Sequence, residues 1–115
     1  MDVKRGDVWL VNLDPTLGHE IKKSRPAVII QNDIGNKFSP IIIIAPITSQ
    51  HLNEVYPTEV GLGKGSSGLD SDSKALLNQI RAIDKVRLIK KLGHIDELLM
   101  EKINDALKIS IGLKG

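Results

Sequence analysis

The segment that most constrains the fold is residues 40–48, which read PIIIIAPIT. Its four consecutive isoleucines are branched at Cβ, and such residues lose side-chain freedom in a helix but pack well on a pleated sheet. The prolines of the segment also oppose a continuous helix. The segment therefore predicts a buried central strand, around which the other strands must be arranged.

Shorter strand-like segments lie on both sides of this one. Residues 6–13 (GDVWLVNL) and 25–31 (RPAVIIQ) are rich in aliphatic residues and are bounded by turn signals. Residues 32–38 are expected to be a connection between strands. Further along the chain, the sequence predicts short strands at 58–62, 73–77, 78–83 and 92–95, a hairpin loop at 61–68 and one helical turn at 84–88.

The apolar period changes after Asp96. Leu99, Ile103, Ala106 and Leu107 are spaced as one face of an amphipathic helix, which Asp96 is suited to cap. Several short strands followed by one helix predict a mainly β fold with an α component. We expect residues 1–115 to form a single domain, a small and partly closed β-barrel with a C-terminal amphipathic helix packed against it.

Composition excludes several classes of protein. Only 3% of the 115 residues are aromatic, so the core must be aliphatic, and the absence of cysteine excludes disulfides and thiolate metal sites. The sequence has no signal-peptide pattern and no apolar run long enough to cross a membrane, which together with the lack of cysteine fits the cytoplasm. A net charge of +2 permits a nucleic-acid partner without requiring one.

A charged loop runs into the second predicted strand over residues 18–33, GHEIKKSRPAVIIQND. Arg25 lies at the junction, where a side chain is exposed and yet held in position by the strand behind it. A guanidinium there can bind a phosphate through two hydrogen bonds. Lys22 and Lys23 add positive charge, although such a cluster is more often a solvated loop.

Glu20 and Thr48 are two further candidates for a functional site. Glu20 is the only carboxylate of the charged loop and either pairs with a neighbouring lysine or acts as a base. Thr48 ends the isoleucine-rich strand. Its hydroxyl either caps the strand end or, if the two strands are neighbours, contacts the same phosphate as Arg25.

Motifs of other functional classes are incomplete. The three histidines, His19, His51 and His94, are not at a metal-ligand spacing. The glycine-rich residues 61–68 lack the Gly-Lys-Ser/Thr order of a nucleotide-binding loop, and residues 70–72 lack the later ligands of a calcium loop. We therefore expect no metal ion and no other cofactor.

Taken in order, these segments resemble the MazF/PemK family of toxin endoribonucleases over nearly the whole chain. Each matching motif is short, but their order and spacing are fairly specific. The motifs are GDVW at 6–9, DPT at 14–16, Gly18, Glu20, RPAV at 25–28, PIT at 46–48, QIR at 79–81, Asp84 and Arg87-Leu88.

This resemblance implies an SH3-like β-barrel of the CcdB/MazF type, a homodimer, and control by a cognate antitoxin protein. It also implies sequence-specific, metal-independent cleavage of single-stranded RNA, mRNA in particular. Arg25 and Thr48 align with the catalytic pair of the family, and Glu20 aligns with a carboxylate implicated in the site of some members. Gln79 falls where some members contact RNA.

The loop before Arg25 differs from some relatives, which have small residues where this chain has Ile21, Lys22 and Lys23. The loop is therefore expected to be bulkier and more basic, and His19, Lys22 and Lys23 are expected to bind RNA together with Gln79.

The implied reaction is attack of the RNA 2′-hydroxyl on the adjacent phosphate, which leaves a 2′,3′-cyclic phosphate and a 5′-hydroxyl. Arg25 would neutralise the developing charge, Thr48 would hold a phosphate oxygen, and Glu20 or His19 would take the 2′-hydroxyl proton. Because fold does not determine function, two alternatives remain: a noncatalytic toxin or protein-binding module on the same barrel, and an RNA-binding regulator that does not cleave.

Overall fold

The computed structural model describes residues 2–14, 18–19 and 23–114, which form an antiparallel sheet with a C-terminal helix. The mainly β fold predicted from the sequence is confirmed. Its strands are β1 (Asp7–Asn12), β2 (Ser24–Ile29), β3 (Ile41–Thr48), β4 (Glu59–Leu62), β5 (Ser73–Leu76), β6 (Arg81–Asp84) and β7 (Leu88–His94). Its helices are α1 (Asp33–Phe38) and α2 (Glu97–Ile111), with 3₁₀ turns at Ser66–Gly68, Leu77–Gln79 and Lys85–Arg87.

The isoleucine-rich strand β3 lies at the centre of the sheet, as predicted. The strand order is β4-β5-β3-β2-β1-β7, and β6 pairs with the first half of β3 while β5 pairs with its end. Among the described residues no pairing joins β4 to β7, so the sheet is not a closed barrel. The described strand pairs are all antiparallel.

Side chains from both faces of the central strands contribute to the core, although Ile41 and Ile43 in the first half of β3 are exposed. Successive side chains of a strand point to opposite faces, so β2 and β3 each contribute to two clusters. One cluster packs against α2 and contains, among others, Val8, Val28, Ala45, Ile47, Ile103 and Ala106. The cluster on the other face contains Trp9, Val11, Ala27, Ile29, Ile42 and Ile44 with their neighbours. The ends of β2 and β3 are therefore anchored in a core on either side.

Helix α2 begins and ends where the sequence predicts. The carboxylate of Asp96 accepts a hydrogen bond from the Leu99 N–H at 2.9 Å, and Gly112 ends the helix in the left-handed conformation with φ 75°. Ile103 and Ala106 are buried against the sheet. In the part of the chain that the structure describes, no helix is both long and apolar enough to cross a membrane.

Two local predictions are wrong. Residues 32–38, expected to be a connection, contain helix α1, because the side chain of Asn32 accepts a hydrogen bond from the Gly35 N–H at 2.8 Å and so starts a helical turn. The last strand begins at Leu88 instead of residue 92. It pairs on one side only and exposes Lys90 and Lys91, so the apolar pattern that marks a buried strand is missing.

Candidate functional site

A cleft of about 590 Å³ lies where β2 begins and β3 ends. Four of the residues singled out from the sequence line it, namely His19, Arg25, Thr48 and Gln79. The rest of its lining comes mostly from residues 50–59, which follow β3, and from Lys74 and Leu76 of β5. The cleft thus has one wall built on strand ends, which we call the strand wall, and one built from residues 50–59, which we call the loop wall.

The antiparallel register of β2 and β3 brings Arg25 and Thr48 together. Ala27 is paired with Pro46, and continuing that register by two residues puts Arg25 across from Thr48. Both side chains line the cleft. Two residues that are 23 positions apart in the chain are therefore neighbours, because β2 and β3 are adjacent strands that run in opposite directions.

Arg25 is half-buried at the start of β2, where its backbone is paired with Val11 of β1. Burial lowers the pKa of the Arg25 guanidinium, because a low-dielectric environment disfavours the charged form. Arginine nevertheless stays protonated in proteins, so the cleft contains a fixed cation. Arg25 also lines a second cavity of about 410 Å³, together with Ser24, Pro26 and Lys90.

Thr48 is nearly buried at the end of β3, with 8% of its surface exposed. Its Oγ1 accepts a hydrogen bond from the backbone N–H of Gln50 at 3.1 Å. A threonine hydroxyl in that role still has its own hydrogen to donate. This contact orients the hydroxyl and leaves it suited to bind an anionic oxygen inside the cleft.

Of the other residues predicted to belong to the site, some line the cleft and others do not. His19 is exposed on the loop and Gln79 ends a 3₁₀ turn, and both line the cleft. Lys23 is exposed with a φ of 70°, its N–H donates to the Asp14 carboxylate at 3.0 Å, and it is not among the residues that line the cleft. Glu20 and Lys22 lie outside the described residues.

Lys74 holds the loop wall, a role that was not predicted from the sequence. Only 3% of Lys74 is exposed. Its Nζ donates at 2.9 Å to each of three acceptors, the carbonyl oxygens of His51 and Glu54 and the carboxylate of Glu59. Because an ammonium group has three hydrogens, these bonds use all of them. The sequence does contain an indication of this role. Lys74 precedes the apolar residues 75–77 (ALL), and a lysine is unusual in a strand that is otherwise buried.

Two arginines from the late part of the chain hold the start of the β1–β2 loop. Arg81 Nη1 donates to the Leu13 carbonyl oxygen at 3.2 Å. Arg87 Nη1 donates to the carbonyl oxygen of Asn12 at 3.1 Å and also to that of Asp14. In the sequence, both arginines are distinguished only as parts of a motif. In the structure they hold the backbone at the end of β1, where the loop that contains His19 and leads to Arg25 begins.

Within the described residues, no three histidine, aspartate or glutamate side chains are grouped so that they could hold a metal ion. The carboxylates that line the cleft are already engaged. Glu59 pairs with Lys74, and the carboxylate of Glu54 accepts a hydrogen bond from the Tyr56 hydroxyl. The other side chains of the cleft that can contact a phosphate or transfer a proton include the Arg25 guanidinium, the Thr48 hydroxyl and the imidazoles of His19 and His51.

Comparison with known proteins gives consistent matches along the chain. The model of a family described as PemK-like, MazF-like toxin of type II toxin-antitoxin system matches residues 4–111. Endoribonuclease EndoA of Bacillus subtilis is 48% identical over 113 residues, covering 98% of this chain and 97% of that protein. Endoribonuclease MazF of Staphylococcus saprophyticus is 47% identical over 111 residues, covering 96% and 92%.

Solved structures share the fold at lower identity. MazF from Deinococcus radiodurans has a TM-score of 0.84 at 23% identity and covers 98% of this chain and 99% of its own. An endoribonuclease in complex with its cognate antitoxin, from a mycobacterial species, has a TM-score of 0.81 at 24% identity and covers 98% of each chain. Together with the family match and the two close relatives, these findings show that the chain belongs to the PemK-like, MazF-like family of toxins of type II toxin-antitoxin systems.

Proposed function

We propose that this chain is the toxin of a toxin-antitoxin pair and acts as an endoribonuclease that cuts single-stranded RNA at a short sequence. The observation that carries the proposal is the register of β2 and β3, which sets Arg25 opposite Thr48 in one cleft. The family and the two bacterial endoribonucleases that are nearly half identical to it support the same activity.

In the proposed reaction, the 2′-oxygen of one nucleotide attacks the phosphorus that joins it to the next. The new bond gives a 2′,3′-cyclic phosphate, and the bond to the 5′-oxygen breaks. The 2′-hydroxyl loses a proton to a base, and the 5′-oxygen takes up a proton and leaves as a hydroxyl. No covalent bond to the protein and no metal ion are needed for these steps.

Arg25 and Thr48 act on the charge that develops in the transition state. The half-buried guanidinium attracts the non-bridging phosphate oxygens more strongly than an exposed cation would, because less water screens it. Thr48 donates its hydroxyl hydrogen to one of these oxygens, while the Gln50 N–H keeps the hydroxyl in place. Arginine holds its proton too firmly to be an effective acid, so its role is electrostatic.

The base that takes the 2′-hydroxyl proton is Glu20 or His19. His19 lines the cleft, and Glu20 follows it in sequence. The RNA itself is bound by His19 and Gln79 along the cleft, and by Lys22 and Lys23, whose charges add to the phosphate affinity of the loop. Dependence on the 2′-hydroxyl means that DNA binds but is not cut.

We further propose that the chain works in the cytoplasm as a homodimer and is inhibited there by a cognate antitoxin protein. A related mycobacterial endoribonuclease has been solved with its cognate antitoxin, which supports such a partner. Large apolar side chains are exposed on the described surface, for example Leu98 at 74% and Leu113 at 59%, and a dimer would cover such side chains. A single protomer mass in light scattering at micromolar concentration would contradict the dimer.

The activity is tested with purified protein and a mixed pool of single-stranded RNA in EDTA. We expect discrete fragments that end in cyclic phosphate. Arg25→Ala should cut at least about 100-fold more slowly, since removing one group that stabilises transition-state charge typically costs 10²–10³ in rate. Lys37→Ala is the matched control, because it removes an exposed cation of α1 that does not line the cleft.

Three outcomes would contradict the proposal. Intact RNA at high protein concentration would favour a noncatalytic toxin or a binding module. Fragments produced equally fast by Arg25→Ala would remove the proposed site. Cleavage of a strand whose 2′-hydroxyls are all replaced by hydrogen would exclude the proposed chemistry.

A further inference from the structure

Tyr56 is an exposed aromatic side chain on the loop wall of the cleft. It lines the same cleft as Arg25 and Thr48, and 56% of its surface is exposed. Burial against the core therefore does not account for the ring, and more than half of the residue is accessible to a molecule in the cleft. Aromatic rings are the usual surfaces on which proteins stack the bases of single-stranded nucleic acid.

The position of Tyr56 is held at both its backbone and its hydroxyl. Its N–H donates to the Glu59 carboxylate at 3.0 Å, and its carbonyl oxygen accepts from the Glu59 N–H at 2.8 Å. Its hydroxyl donates to the Glu54 carboxylate. The backbone contacts fix where residue 56 lies and the hydroxyl contact restrains the ring, which lowers the entropy cost of binding.

Lys74 connects these contacts to the sheet. The Glu59 oxygen that receives the Tyr56 N–H also receives the buried Lys74 ammonium at 2.9 Å. Lys74 Nζ lies 6.0 Å from the centre of the Tyr56 ring, at the limit of a cation–π contact. Because Lys74 belongs to β5 and pairs with Thr48, the ring is held in register with the strand that carries the catalytic hydroxyl.

We propose that Tyr56 is the stacking surface for an RNA base that flanks the scissile phosphate. The assignment rests on the proposed function, because it gives Tyr56 a role in the same cleft. A tyrosine phenol is neutral at ordinary pH and does not repel the RNA backbone, and the hydrogen bond to Glu54 raises the pKa of Tyr56 further. Stacking depends on the ring and not on the hydroxyl. Tyr56 should therefore bind the base in the ground state and leave the chemical step unchanged.

The test begins with wild-type protein and a long single-stranded RNA, whose cut sites are read by sequencing. An oligonucleotide of that sequence, with one 2′-hydrogen at the cut site, then serves as an uncleavable ligand for fluorescence anisotropy. Loss of the ring in Tyr56→Ala should weaken binding about 5- to 150-fold, which corresponds to the 1–3 kcal/mol typical of one stacked base. In cleavage of the unmodified strand, KM should rise while kcat is kept.

Two variants and one control make the result specific. Tyr56→Phe keeps the ring and should bind within about threefold of the wild type, whereas Tyr56→Leu has a similar apolar size without a flat face and should behave like Tyr56→Ala. Phe38→Ala is the matched control. Phe38 is also exposed, at 75%, and has a lysine ammonium 5.4 Å from its ring, but α1 does not line the cleft.

Unchanged binding in Tyr56→Ala would overturn the assignment, and so would equal losses in Tyr56→Phe and Tyr56→Ala, which would point to the hydroxyl and Glu54. Equal losses in Phe38→Ala and Tyr56→Ala would also overturn it. If the wild type does not cut RNA, the proposed function is wrong, but the assignment of Tyr56 can still be tested. The long RNA then replaces the oligonucleotide in the binding assay, where a ring-dependent affinity would still support Tyr56 and an unchanged or absent affinity would overturn it.

Discussion

The two walls of the cleft are held in place by different forces. The strand wall presents Arg25 and Thr48 from strands that have a paired neighbour on both sides and that contribute side chains to two core clusters. The loop wall, residues 50–59, runs without regular structure until β4 begins at Glu59. It is tied to the sheet by the ammonium of Lys74, which binds two carbonyl oxygens and one carboxylate.

Because the two walls are held differently, we expect substitutions that affect stability to differ from those that affect the cleavage reaction. Loss of a side chain from the strand wall removes a group that we propose contacts the phosphate, while the ladder and the cores keep the backbone in place. Loss of Lys74 removes no group that we expect to touch the phosphate, yet it leaves a carboxylate unpaired in a buried position. Substitution of Arg25 or Thr48 should therefore slow the chemical step, whereas substitution of Lys74 should lower stability.

The largest effect on stability is expected from Lys74→Met. The side chains of Lys74 and Glu59 are only 4% and 9% exposed, so the variant leaves Glu59 as a buried charge without its partner. Breaking such a pair typically lowers the free energy of unfolding by about 3–5 kcal/mol. Urea denaturation measures this, and the double variant Lys74→Met/Glu59→Gln should recover part of the loss. A single-variant loss below about 1 kcal/mol would mean that the pair does not hold the loop wall.

Thr48→Val tests the strand wall. Valine has nearly the same shape as threonine, so the variant loses the hydroxyl and its bond from the Gln50 N–H, and stability should fall by about 1 kcal/mol. Cleavage should slow by about 100-fold, because a donor to the transition state is gone. Thr48→Ser keeps the hydroxyl and should retain most of the rate. Equal rates for the valine and serine variants would remove the proposed role of the hydroxyl.

The sequence predicts the strand wall better than the loop wall for a physical reason. Arg25 and Thr48 stand at the ends of strongly β-branched segments, and such segments specify both the strands and where they stop. Lys74, by contrast, binds backbone carbonyl oxygens at residues 51 and 54, and a carbonyl has no side-chain pattern that marks it as a partner. Contacts of this kind become visible only when the chain is folded.

The same reasoning explains the errors in the fold. Helix α1 depends on a side-chain cap by Asn32 in a segment where asparagine and glycine otherwise indicate turns. Strand β7 lies at the edge of the sheet, so it forms backbone hydrogen bonds with a neighbouring strand on one side only. Its apolar residues follow the two-residue period of a buried strand only weakly. The roles of Glu20 and Lys22 stay predictions, because these residues lie outside the described part of the chain.

Asp7→Asn tests whether a buried charge away from the cleft contributes to stability without affecting cleavage, as we expect for Lys74. Asp7 is 1% exposed and binds His94 Nδ1 at 2.9 Å, Lys91 Nζ at 3.3 Å and the Lys4 N–H at 2.9 Å. Burial by itself raises the pKa of Asp7, but these contacts outweigh it, and the pKa lies below its ordinary value of 3.8. At pH 7 the variant should lose about 1–3 kcal/mol of unfolding free energy, the range for a hydrogen-bonded charge.

The pH dependence of Asp7 has a definite sign. Since folding lowers its pKa, the ionised carboxylate stabilises the protein above the unfolded value, and this contribution is lost as pH falls through the folded value. The wild type should therefore lose more stability than Asp7→Asn between pH 5 and about pH 3, as measured by urea denaturation at each pH. Cleavage at pH 7 should be unchanged. Parallel stability curves for the two proteins would show that Asp7 does not contribute in this way.

The smallest effect is expected from Arg87→Ala, which tests whether the strand wall also depends on a remote side chain. Arg87 supports the loop before Arg25 through exposed hydrogen bonds to the Asn12 and Asp14 carbonyl oxygens. Because water replaces such bonds readily, unfolding free energy should fall by only about 1 kcal/mol and cleavage by less than about tenfold. Val86→Ala, in the same 3₁₀ turn and 86% exposed, should change neither. A loss as large as that of Lys74→Met would mean that both walls are held by single remote cations, and the contrast between them would no longer stand.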